Sequence, residues 1–98
     1  MAYKLNTSTG AYLDIEKAIV YYKGIKSQLA ENFLIELKAT RKYIQKHPKK
    51  IQVRYANIRV AFLKRFPFGV HFRFENETVT IVSVFHTSQD DKKWKERM

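Results

Sequence analysis

Residues 58–86 read IRVAFLKRFPFGVHFRFENETVTIVSVFH, and this stretch decides the fold. Ile58, Val60 and Phe62 alternate with Arg59 and Ala61, and Val70, Phe72 and Phe74 alternate with His71, Arg73 and Glu75. A period of two is the mark of a strand with one apolar face. Phe66-Pro67-Phe68-Gly69 joins the first two runs through a proline and a glycine, a hairpin signal. Asn76-Glu77 is a second turn-like pair, and Thr78 to His86 follows as a run of Val, Ile, Thr and Phe. Val79 and Ile81 lie on one face of that run, with Val82 and Val84 near or on the other. A strand apolar on both faces is expected at the centre of a sheet.

Upstream the period is 3.6. Tyr3 to Asn6 is a short alternating opening strand, after which Thr7, Ser8 and Thr9 offer hydroxyl caps for a helix beginning near Gly10. Ala11, Ile15, Ala18, Ile19, Tyr22 and Ile25 form its apolar face, and Tyr21, Tyr22 and Phe33 read as core or hairpin packing. Asp14 and Glu16 suit the positive end of the helix dipole. Gly24 and Ser27 mark a break, and a second helix carries Leu29, Phe33, Leu34, Leu37 and Ile44 until Pro48 stops it. Downstream, Gln89 to Arg97 is polar and is expected to be a short helical tail anchored by Trp94. The fold class is therefore α+β: an N-terminal strand, a helical hairpin, then an antiparallel sheet in the order β-α-α-β-β-β, within one domain over residues 1–98.

Charge is distributed unevenly. The net charge is +10, yet no acid occurs between Leu37 and Phe74, a segment holding Lys38, Arg41, Lys42, Lys46, Lys49, Lys50, Arg54, Arg59, Lys64, Arg65 and Arg73. The remainder carries eight bases against all nine acids. Solvated surfaces usually mix signs, so a one-sign block of this length points to a polyanionic partner such as nucleic acid, a ribosome or an acidic protein segment. The plainer reading is a basic domain with no such partner. The chain has no cysteine, which excludes disulfides, thiolate metal sites and cysteine nucleophiles and favours the cytoplasm. No apolar run is long enough for a membrane span.

Catalytic motifs are few. His47, His71 and His86 sit in separate elements without metal-ligand spacing, and neither a phosphate-binding glycine loop nor a serine nucleophile elbow is present. Neither a metal nor a cofactor is expected. Chemistry built on Arg, Lys, His and Tyr remains open, and RNA cleavage can use that set: a 2′-hydroxyl attacks the neighbouring phosphate while bases stabilise the developing charge and a histidine moves a proton.

The run from Ile58 to Arg73, the later Ile81-Val82-Ser83-Val84-Phe85-His86 with Ser88-Gln89-Asp90 and Trp94, and the upstream Asp14 to Ala18, Tyr21-Tyr22, Leu29, Phe33, Leu37 and Pro48 together resemble RelE/ParE superfamily toxins. The Phe-Pro-Phe-Gly turn and the tryptophan tail are closer to members grouped with ParE and plasmid stabilisation proteins. The resemblance implies the toxin of a bacterial type II toxin–antitoxin pair, held inactive by a cognate antitoxin. It acts either on ribosome-bound mRNA, cleaved without a metal, or on DNA gyrase. It implies His86 as a proton-transfer group and Arg65 as a phosphate-binding partner, with Arg54, Arg59, Lys64, Arg73, His71 and Gln89 as contacts to nucleic acid or to antitoxin carboxylates. Each has a plainer alternative: a strand-end polar residue for His86, a solubilising one for Arg65, a packing anchor for Trp94. His71 and Arg73 share a strand face, which makes a basic cluster there reasonable. Gln89 stands where relatives often carry a base, and a neutral amide cannot offset phosphate charge. A catalytically inactive protein that only binds a partner is therefore the third reading.

Overall fold

A computed structural model describes residues 2–88. Its elements are β1 (Lys4–Thr7), α1 (Thr9–Ile25), α2 (Ser27–Lys46), a 3-10 turn (Pro48–Lys50), β2 (Val53–Tyr55), β3 (Ile58–Phe62), β4 (Phe68–Glu75) and β5 (Thr78–His86). The five strands form one sheet in the order β1-β5-β4-β3-β2. The helical hairpin and the strands at 58–86 stand where the periodicity puts them. The tail expected at Gln89 to Arg97, with Gln89 and Trp94, lies outside the described residues.

Two features correct the expected topology. β2 is an additional edge strand, paired antiparallel with β3 at Ile58 and Arg59. β1 pairs with β5 in parallel, not antiparallel, with Leu5 beside Val79 and Thr7 beside Ile81. Helices, not a turn, connect β1 to the rest of the sheet, and they return the chain to its starting point. There the Tyr3 N–H donates to the Gln45 carbonyl at 3.1 Å and the Gln45 amide donates to the Tyr3 carbonyl at 2.6 Å.

Ser8 ends β1 and caps α1 at once. Its hydroxyl accepts from the Ala11 N–H and donates to the Val82 carbonyl, both at 3.1 Å, while its own N–H reaches the Ile81 carbonyl at 2.9 Å. The helix dipole is not what Asp14 serves: no acid lies in the first turn, and its carboxylate accepts the Val84 N–H at 2.9 Å. Pairing with β1 stops at Thr7, so among the described residues β5 is a sheet edge beyond Ile81, and Asp14 satisfies a backbone donor there. Replacing Asp14 with alanine strands that donor and is expected to cost about 2 kcal/mol, read as a lowered urea midpoint with unchanged m-value.

The strand pairing slips by one residue between His71 and Phe72: His71 faces Ser83, but Phe72 faces Ile81, leaving Val82 as a bulge. Strict alternation would set Val84 opposite Ile81. The bulge returns Val84 to the helix-facing side with Val79 and Ile81, and all three join the main core. That core packs against α1 through Ala11, Ala18 and Tyr22 and against α2 through Ala30, Phe33, Leu37 and Ile44. Tyr21 and Ile25 stay outside it, 64% and 60% exposed. Tyr21 projects sideways next to Tyr22, and Ile25 is the last residue of α1, just before the extended Lys26 that separates the helices. At the β4–β5 turn, Asn76 and Glu77 both have positive φ, 52° and 59°, the backbone a tight hairpin requires.

Candidate functional site

Pairing assigns every strand residue to a face. Phe68 opposes His86 and belongs to the helix-side core, so His86 lies on that side. It lines a cleft of about 470 Å³ with Asp14, Lys17, Tyr21, Phe85 and Ser88. The Phe68 ring meets the imidazole edge-on at 5.3 Å, and the Nδ1 atom accepts from the Ser88 N–H at 3.0 Å. His86 is thus a partly buried strand-end group in a cleft of mixed polar and apolar lining beside α1.

Arg65 occupies the loop between β3 and β4. Glu36 of α2 fixes that loop: its carboxylate accepts from the Lys64 N–H and from the Arg65 N–H, the latter at 2.9 Å. Both basic side chains are left exposed. The loop and His86 share one end of the sheet, since the Thr87 N–H donates to the Pro67 carbonyl at 2.8 Å. Arg65 is nonetheless tied to α2 over the β3 side, whereas His86 faces α1 over the β5 side.

The opposite face of the sheet carries a different set. His71 opposes Val60 and Ser83, Arg73 opposes Ile58 and Thr80, and Phe85 sets its ring 5.3 Å from His71. His71 and Arg73 do share a face, but they form no exposed cluster. His71 is 1% exposed and shares a 2.8 Å hydrogen bond with the Tyr55 hydroxyl of β2, while Arg73 is exposed. Burial lowers the His71 pKa to about 4, so the imidazole is neutral at physiological pH. It raises the Tyr55 phenol for the same reason. Arg73 stands five residues along β4 from Phe68, roughly 17 Å from the end where His86 sits.

The basic segment is largely, but not wholly, surface. Arg59 donates to the Ile51 carbonyl at 2.6 Å and Arg41 to the Thr7 hydroxyl at 3.1 Å, so these two work inside the fold. Lys38, Lys42, Lys46, Lys49, Lys50, Arg54, Lys64, Arg65 and Arg73 remain exposed. Arg54 lays its guanidinium over the Phe62 ring, 5.1 Å from the centroid. A groove of about 650 Å³ runs between α2 and β3, lined by Tyr43, Ile51, Ala61, Phe62 and Lys64 among others. Among the described residues no strand pairs with the outer edge of β3 from Val60 to Phe62, and that edge borders the groove. Sequence reading missed Glu36, Tyr55 and Phe62. Glu36 has one visible signal, being the last acid before the basic run.

The sequence matches no protein-family model and no curated protein. Solved structures do share its fold. A chain of the chromosomal ParDE toxin–antitoxin system from P. aeruginosa superposes with a TM-score of 0.78 at 18% identity, covering 89% of this chain and 98% of that one. A chain of the RelBE2 toxin–antitoxin complex from Mycobacterium tuberculosis gives 0.60 at 16% identity, covering 91% and 95%. The likeness is one of fold, and both matched chains come from toxin–antitoxin systems. No helix among the described residues is long and apolar enough to cross a membrane.

Proposed function

We propose that this protein is the toxin of a type II toxin–antitoxin module, that it acts in the cytoplasm by engaging DNA gyrase, and that a cognate antitoxin protein holds it inactive. The observation that carries the reading is the ParDE match, which spans almost the whole of both chains. The distribution of candidate residues favours a binding toxin over a nuclease. His86 looks into the α1 cleft, Arg73 and the neutral His71 lie on the other face, and Arg59 is spent on the Ile51 carbonyl. Among the described residues, no single face gathers a proton-transfer group with several phosphate-binding arginines.

A second reading, ribosome-dependent mRNA cleavage, is favoured by one feature: His86 shares its cleft with Asp14, Lys17 and Tyr21, a set able to move protons. Purified protein added to a gyrase supercoiling reaction and to a reconstituted translation reaction separates the two. The expected result is lost supercoiling with intact message. Message cut only on ribosomes, and spared by His86→Ala, would establish the second reading. Growth unaffected by expression without antitoxin, with neither reaction disturbed, would leave a protein that only binds a partner.

We place the antitoxin along the groove between α2 and β3, where an apolar floor, an open strand edge, Lys64 on the rim and Arg54 over Phe62 suit an acidic, partly apolar segment. Its affinity is expected to fall as salt rises, because screening weakens the charge component, and to persist through the apolar one. Affinity indifferent to salt would remove the basic segment from that contact.

A further inference from the structure

Phe62 closes β3 with its ring on the sheet face away from the helices, and it is 44% exposed. Its pose is held from below and above. Opposite it on β4 stands Gly69, where a Cβ would lie 2.8 Å from Val60 Cγ1 and 3.3 Å from Phe62 Cε1. Only glycine lets the ring settle over the β4 backbone. From β2, Arg54 covers the ring with its guanidinium, 5.1 Å from the centroid. The surroundings are mostly basic: Lys64 follows two residues on, Arg73 shares the face, and the stretch between Leu37 and Phe74 lacks an acid, while the nearby Glu36 carboxylate is taken up by the Lys64 and Arg65 amides.

With one ring face over the β4 backbone and the other under Arg54, the exposed guanidinium carries the stack outward and offers one flat, sequence-tolerant surface to a base, while neighbouring cations meet the phosphates. Bases in a duplex are already stacked and cannot reach such a surface. We infer that Phe62 and Arg54 form a stacking site for one unpaired nucleobase of a single-stranded nucleic acid, with Lys64 beside it for a flanking phosphate. The site goes beyond the toxin reading, since it requires neither gyrase nor the ribosome and is read without growth or supercoiling.

The test is fluorescence anisotropy of short labelled single-stranded RNA and DNA against the full-length protein over a salt series, with a duplex of the same sequence as control. Single strands are expected to bind more tightly than the duplex. Phe62→Leu should weaken that binding roughly tenfold while leaving the salt slope unchanged, because stacking releases no counterions. Phe62→Trp should bind at least as well as the parent. Arg54→Gln should weaken binding and also lower the salt slope by about one. Phe62 is at the surface, so these variants are expected to melt like the parent, which circular dichroism checks. A preference for RNA or for DNA identifies the natural strand. Equal binding by parent and Phe62→Leu, a preference for duplex, or no binding at low salt would overturn the site. So would a Phe62→Leu variant that loses antitoxin but keeps the oligonucleotide.

Discussion

Phe33→Ala is expected to remove about 3–5 kcal/mol of stability, a large share of the roughly 5–15 kcal/mol a small domain possesses. The ring is fully buried, with centroids 5.6 Å from Tyr22, 5.5 Å from Phe66 and 5.3 Å from Phe68. Tyr22 closes the group by meeting Phe66 edge-on at 5.1 Å. These rings come from α1, α2, the β3–β4 loop and β4, so one truncation loosens four elements at once. Two of them bracket Pro67, whose carbonyl holds the strand end beyond His86. Both the α1 cleft and the Lys64–Arg65 loop therefore depend on this cluster for position. Equilibrium urea unfolding measures the loss. A change below about 1 kcal/mol would mean that the neighbouring rings collapse into the space.

Acidification should destabilise the fold through His71. Its folded-state pKa is lowered from 6.5 to about 4 by burial. Above pH 6.5 the imidazole is neutral folded or unfolded, and the fold keeps its full stability. Between pH 6.5 and 4 the unfolded chain takes up a proton that the folded one refuses, so stability falls as pH drops; below 4 this group adds nothing further. The whole window amounts to about 3 kcal/mol, and the part between pH 7.5 and 5 to about 2. Carboxylates titrate in the lower part of that range, so the informative quantity is the difference between the parent and His71→Gln, whose amide can still meet the Tyr55 hydroxyl. Parallel pH profiles for the two proteins would show that the folded state accepts the proton on His71.

What the sequence made legible follows from where its periodicity is unbroken. β3, β4 and the apolar face of α2 run long enough for alternation or helical spacing to be counted, and the turn at Asn76-Glu77 carries its own punctuation. β2 is three residues long with Val53 and Arg54 both exposed, so it has no buried face to produce a pattern. The bulge is harder still. Alternation assumes a constant period, and the extra residue at Val82 resets it, which moves Val84 and His86 to the helix side and Ser83 and Phe85 to the other. The charge asymmetry needs no geometry and was plain from counting. The burial of His71 was not, because a histidine alternating with Val70 and Phe72 reads as the wet face of a strand. Long-range anchors such as Glu36 to the Lys64 and Arg65 amides leave almost no local trace.

The parallel pairing of β1 with β5 also governs when the protein can exist in finished form during synthesis. Ser8 bonds Val82 and Asp14 bonds Val84, across 74 and 70 residues of chain. At ordinary ribosomal elongation rates, roughly 4–15 s pass between making one partner and making the other. The helical hairpin can form early from local contacts, but the sheet stays open along that side until its last strand is made. A chain built this way has no complete sheet surface while it is being translated, and whatever binds that surface meets it only once β5 is made.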